Sequence, residues 1–255
     1  MRHFLSTASL IIVLGVAVIG HAASWMDGLP TVPVTSKPTD KVWATVAEGG
    51  GDMAKVGIFE VVSVQGNTAT IKNKIGTSFS NVPGALIHPI GSPAKLKVND
   101  IAFGDSWGAS KVVGRVKSVE AGKVTLRFKF GSALNDKVVD HAQPLVSGVK
   151  PMALVIYRNN NSPYKGLVIA KGNGKVWIST DSGHVATSAE TSVLQLDMAP
   201  KGFTVGQTVY AYQWGFGYKA GTVTKIVEPY HQYEIKLTGK DKPEIFIFSE
   251  VAAKI

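Results

Sequence analysis

Val205-Gly206-Gln207-Thr208-Val209-Tyr210-Ala211-Tyr212-Gln213-Trp214-Gly215-Phe216-Gly217-Tyr218-Lys219-Ala220-Gly221-Thr222-Val223 reads as an entry turn, a short strand, a Gly/aromatic loop and a second strand. Valine, threonine and tyrosine suit a pleated, half-buried surface, and the glycines punctuate them. The preceding chain carries weaker copies of the same unit. In 41–90, Val42-Trp43-Ala44-Thr45-Val46 is followed by a loop at 48–52 and strand-like runs at 55–62 and 68–71. In 96–145, Ile101-Ala102-Phe103 leads through Asp105-Ser106-Trp107-Gly108 to runs at 112–119 and 124–128. In 149–198, the run 152–157, the loop 158–163 and the runs 164–169 and 176–179 repeat the order, and 204–255 completes the set.

Gly57, Gly114, Gly166 and Gly221 fall at one apparent position of these copies, roughly 52–57 residues apart, a structural-repeat period. Each copy offers short alternating segments bounded by Gly, Asn, Asp and Pro, as twisted antiparallel hairpins require. About 50 residues with four or five such strands fit a small barrel, which buries one face and closes most of its edges. The expected class is therefore all-β, with four small barrels in tandem. No amphipathic helical pattern competes with it.

Composition bounds the rest. Hydrophobic residues make up 45% and charged residues 18%, a globular balance, and 27 glycines with 12 prolines supply many turns. The formal charge of +9 favours acidic partners. The basic residues are scattered, however, which equally suits a soluble cationic surface. Residues 1–22 have a basic start at Arg2, an apolar run over 10–19 and small residues at Gly20 and Ala22, the pattern of a cleaved secretory signal peptide. The apolar run is short for a transmembrane helix, so no span is expected after cleavage. The chain has no cysteine, so each unit must fold on its core alone. Export to the periplasm or beyond is the expected location. Residues 23–40, with Pro30, Pro33 and Pro38, read as an extended linker, poorly ordered at its start.

The fourth copy resembles a Tudor- or agenet-type SH3-like barrel. Val205-Gly206-Gln207, Val209, Ala211, Tyr218-Lys219-Ala220 and Thr222-Val223 carry the likeness, and Val98-Asn99-Asp100, Lys111-Val112-Val113-Gly114 and Tyr164-Lys165-Gly166 repeat parts of it. The resemblance implies four SH3-like repeats and an aromatic cage for a methylated cation, held against π faces. By position it implies Trp214 (or Tyr212) and Tyr218 as cage residues. Lys236-Leu237-Thr238-Gly239-Lys240, where further walls should stand, has no aromatic.

In an extended strand Tyr210, Tyr212, Trp214, Phe216 and Tyr218 share one face. With Val209 and Ala211 inward, these rings point outward and form an interaction surface, or else pack between units. Tyr212, Trp214, Phe216 and Tyr218, with Trp107, Tyr157 and Tyr164 in the corresponding regions of earlier copies, are the candidate ligand-binding residues. Trp43 and Trp177 lie within strands and are expected in the core. His88, His141, His184 and His231 stand apart in sequence, without a partner at metal-ligand spacing. Asp140-His141 could form an acid–base pair, but no Ser or Cys nucleophile motif accompanies it. Gly49-Gly50-Gly51 lacks the lysine and helix of a phosphate loop. No cofactor, metal or catalytic residue is expected. Lysines near the aromatic loop could serve a nucleic acid, against which export argues. The expectation is a non-enzymatic exported protein that contacts an envelope glycan or protein through aromatic loop residues. A structural or assembly protein is the alternative, and an envelope hydrolase a third.

Overall fold

The computed structural model describes residues 24–255 apart from 50, 93–94, 107–109, 131–132 and 199–201. It is all-β, and its four small antiparallel sheets are arranged around an axis. Among the described residues helix occurs only as short 3-10 turns, and no helix is long and apolar enough to cross a membrane. The signal-peptide residues 1–22 and the candidate Trp107 lie outside the described residues.

The first unit comprises β1 (Lys41–Ala47), β2 (Ala54–Gln65), β3 (Thr68–Lys72), β4 (Ser78–Pro83) and β5 (Ile87–Pro89), ordered β4-β3-β2-β1-β5. The second is a closed barrel of β6 (Ile101–Ser106), β7 (Ser110–Glu120), β8 (Lys123–Phe130) and β9 (Ala133–Pro144). The third has β10 (Leu154–Asn159), β11 (Ser162–Gly172), β12 (Lys175–Thr180), β13 (Val185–Ala189) and β14 (Leu194–Gln195), ordered β13-β12-β11-β10-β14. The fourth has β15 (Thr208–Gln213), β16 (Gly217–Glu228), β17 (Gln232–Leu237), β18 (Glu244–Ile247) and β19 (Val251–Ala252), ordered β18-β17-β16-β15-β19. In the first, third and fourth units a 3-10 turn (Gly84–Leu86, Glu190–Ser192, Phe248–Glu250) lets the chain cross back beside the first strand. In the second, β9 spans both roles, with His141 at φ 52 where the register shifts.

One turn opens every unit. The amides of Asp40, Asp100, Ala153 and Gln207 donate to the carbonyls of Lys37, Lys97, Lys150 and Thr204. The residue before each has positive φ: Thr39, Asn99, Met152 and Gly206. That geometry is a type II turn, which places a left-handed residue third. Each turn then pairs with a valine of the second strand, Val61, Val116, Val168 or Val223. Directly after that valine the ladder to the third strand slips by one residue in all four units. A bulge recurring at one position bends each second strand and increases its twist.

This framework corrects the glycine alignment. Gly114, Gly166 and Gly221 lie two residues before the bulge valine, opposite Ala102, Val155 and Val209. Gly57 lies four residues before Val61, and the equivalent position opposite Val42 is Phe59. The glycines are required by the approach of the next strand. A Cβ on Gly221 would lie 2.8 Å from Ile235 Cγ2 and 2.9 Å from the Lys236 carbonyl oxygen. Phe59 instead carries a buried ring that packs edge-on against Phe79, with centroids 5.6 Å apart.

Contacts between units run first–second, second–fourth, fourth–third and third–first. Trp43 meets Phe103, and Arg127 joins Asp136 of its own unit (2.7 Å) to Glu228 of the fourth. His88 donates from Nε2 to the carbonyl oxygen of Ile169, the bulge residue outside the β11–β12 ladder, at 2.8 Å. Burial holds the His88 pKa down, so the imidazole stays neutral there. Val113, Leu145 and Leu154 pack against both inter-unit apolar clusters and so form a shared centre.

Residues 24–40, within the expected extended linker, run as a largely exposed strap anchored at a few points. Trp25 is buried, and its carbonyl accepts a hydrogen bond from Trp177 Nε1 at 3.0 Å. The strap leans Pro30 on Gly172 and the Val32 carbonyl on Gly84, then donates from the Val34 amide to Gly66. Glycine is needed at 172, because a Cβ there would lie 2.6 Å from Pro30. Trp43 and Trp177 are both in the core, as their strand positions predict.

The Arg127 junction gives a pH dependence. Hydrogen bonding from Arg127, with Lys117 adding to it, holds the Asp136 carboxyl down to about 2. A depressed carboxyl contributes stability above its unfolded value, 3.8, and loses it as pH falls through the folded value. The urea midpoint should therefore decline across this acid window. Asp136→Asn should flatten that part of the profile, and an unchanged profile would show that the junction contributes nothing.

Candidate aromatic cleft between the third and fourth units

β15 pairs with β16 so that Tyr212 stands opposite Tyr218 and Gln213 opposite Gly217. Val209 and Ala211 are fully buried inside the fourth unit, so the tyrosines of β15 lie on its outer face. That much follows from strand alternation. Of the two outcomes open from the sequence, an exposed surface or packing between units, each holds for part of the row. Tyr218 is 3% exposed and packs with Ile156, Leu196 and Met198, because the third unit covers this face. Tyr210 and Tyr212 are half-buried in the same contact. Trp214 and Phe216, at the hairpin tip, are 82% and 67% exposed.

The tip is a turn in which the Phe216 amide donates to the Gln213 carbonyl, with Gly215 at φ 80 and Gly217 at φ 73. The third unit holds it. Tyr164 donates from its hydroxyl to the Gly215 carbonyl at 3.1 Å, and Gly217 lies flat against the Pro163 carbonyl, leaving no space for a Cβ. Trp214 is thus presented on a fixed support.

Beneath it lies a cleft of about 370 Å³ between the two units, reaching the first at Asp52. One wall is aromatic. Tyr157 and Tyr164 are 6.2 Å apart, Tyr164 meets Tyr212 edge-on at 6.3 Å, and Tyr212 meets Tyr218 at 5.2 Å. Tyr157 itself is buried, so of the six predicted residues that are described, Tyr164, Tyr212, Trp214 and Phe216 retain accessible surface. The other wall is polar, with Asn159, Thr180, Asp181 and Ser182. Burial first, and then the Asp181 charge, raise the phenol pKa values of Tyr157, Tyr212 and Tyr218, which keeps them neutral.

Lys165 enters this cleft from β11. Its Nζ lies 3.3 Å from Asp181 and 5.0 Å from the centre of the Tyr212 ring. At the far edge His184 Nδ1 is 2.8 Å from Asp52. Asp52 is remote in sequence and reaches His184 only through folding. The backbone around it pairs too, Ala54 donating to Gly183 and Val185 to Asp52. Across Trp214 a second groove of about 590 Å³ carries Phe216, Lys219, Lys240 and Glu244.

The remaining histidines stand elsewhere. His231 is buried edge-on against Phe248. His141 and Asp140 face a separate cleft with Asp105, whose pKa burial raises, with Asp140 adding to it. Among the described residues no three His, Asp or Glu side chains gather as a metal site. The cage that the resemblance implies within one barrel is not assembled there: Tyr218 is covered, and the rings meet across two units. Sequence reasoning could not supply Lys165, Asp181 and Asn159, which adjoin the tyrosines only through the docking of the third unit on the fourth. Compared with protein-family models and with curated proteins, the chain matches none.

Proposed function

We propose that this is an exported, non-enzymatic binding protein whose tandem SH3-like, Tudor-related units engage an extended envelope polymer or protein at the Trp214 hairpin. One observation carries the reading: Trp214 and Phe216 are exposed at a hairpin tip anchored on the neighbouring unit and flanked by two grooves. An exposed aromatic pair on a rigid support marks an interaction site, because ordering costs are already met in the free protein. The strand order β4-β3-β2-β1-β5 with a 3-10 turn before the last strand supports the SH3-like assignment. The basic, apolar, small-residue series of residues 1–22 supports export. Burial of Tyr218 between units favours the structural reading for that ring, whereas Tyr157 is buried in the core of its own unit.

The test is a Trp214→Ala/Phe216→Ala double variant, whose side chains lie outside the core. Its melting temperature should stay within a few degrees of the parent, about what surface substitutions allow. Amide shifts are followed during titration with soluble cell-wall saccharides and with extended peptides. Binding should weaken at least about tenfold in the variant. Equal binding by variant and parent to every probe sinks the proposal.

A further inference from the structure

The geometry points to a neutral saccharide ring as the ligand of the cleft between the third and fourth units; this builds on the binding reading above and specifies its chemistry. The argument is one of charge and ring faces. A methylated cation needs an open aromatic face with nearby negative charge. Here the cleft's own cation already holds that place: Lys165 Nζ lies 5.0 Å from the Tyr212 ring centre and 3.3 Å from Asp181. A second cation would have to displace it or sit beside a like charge.

A strongly anionic ligand fits no better. Lys165 is paired with Asp181, and His184 with Asp52, so the net positive charge of the chain is not concentrated in this cleft. What the cleft offers is amphipathic. The Trp214 indole is exposed at its mouth, with Tyr164 and Tyr212 on one side. Asn159, Asp181 and Ser182 supply donors and acceptors on the other. A pyranose has the matching character, with C–H faces to lie on an aromatic and equatorial hydroxyls to bond at its rim. The volume, about 370 Å³, accommodates one to two such rings, small for a binding pocket. The groove beyond Trp214 gives a longer chain somewhere to continue. Affinity should therefore rise with oligomer length, as added rings engage the second groove.

The experiment titrates the full mature chain with N-acetylglucosamine and its short oligomers, an unmodified extended peptide and a trimethyllysine peptide, reading amide shifts and calorimetric heats. The oligomers should bind in preference to the trimethyllysine peptide. Trp214→Ala and Asp181→Ala should each weaken them at least about tenfold. Lys165→Ala, which opens the Tyr212 face, should narrow the gap by improving binding of the trimethyllysine peptide. Trimethyllysine binding to the unaltered chain equal to or tighter than saccharide overturns the inference. Trp214-dependent binding of the unmodified peptide without saccharide binding also overturns it, while leaving the broader binding function in place. No Trp214-dependent binding to any probe removes both. A circular-dichroism melt on each variant verifies that it remains folded.

Discussion

Replacing Trp177 with alanine is expected to destabilise the protein by about 3–5 kcal/mol, the range for truncating a buried tryptophan. Trp177 lies on β12 opposite Thr187 and is 1% exposed. Its ring belongs to the apolar cluster that also contains Trp25, Trp43, Phe59 and Ile169, so it joins the strap, the first unit and the third. Two losses combine. The indole leaves a cavity among groups held by three separate segments, which cannot collapse together without breaking the strap's own contacts. The Trp25 carbonyl also loses its donor, since Nε1 of Trp177 bonds to it at 3.0 Å. Trp177→Phe separates these losses. It retains most of the ring and removes the donor, for which about 1–3 kcal/mol is expected if the carbonyl stays buried. Urea unfolding with an unchanged m-value reads both. A loss below about 1 kcal/mol for the alanine variant would show that the first and third units do not depend on a common core.

The same cluster shows what could be read from the chain alone. Trp43 and Trp177 are recognisable as core because each is a large apolar side chain inside a local strand-like run, although the groups that cover them, Phe103 and Trp25, lie in other segments. The four units are recognisable through turn residues and periodicity that are local. Gly57 misleads because local similarity cannot count residues to a bulge: only pairing of Asp40 and Thr39 with Val61 shows that Phe59 is the equivalent position. The row from Tyr210 to Tyr218 leaves exposure and packing between units both open, and the sequence does not divide the rings between them. Alternation holds within β15, then two positive-φ glycines redirect the tip, and a neighbouring unit covers what the single barrel would expose. Non-local docking decides the cleft. Tyr164, Lys165 and Asp181 belong to one unit, Tyr212 and Trp214 to the next, and no spacing in sequence records their meeting.

Gly217→Ala should be the most damaging single-methyl change at the Trp214 hairpin, at about 2–4 kcal/mol from strain and overlap together. Gly217 adopts φ 73, where an L-residue is strained, and its α-carbon lies against the Pro163 carbonyl of the third unit. A Cβ would overlap that oxygen, and backbone on both sides leaves no flexible side chain to yield. The hairpin must lift, which costs the Tyr164 hydrogen bond to Gly215 and loosens the Tyr212–Tyr164 contact. Gly215→Ala is the matched control. Its φ is 80, equally left-handed, but its Cβ would meet nothing within 4 Å. Only the strain should appear there, about 1–2 kcal/mol. The pair therefore separates support from local conformation. If the anchored tip is what presents Trp214, Gly217→Ala should weaken ligand binding several-fold more than Gly215→Ala, measured where both remain folded. Equal effects of the two alanines on stability and binding would mean that the third unit does not hold the hairpin, and that the exposure of Trp214 is a property of the turn alone.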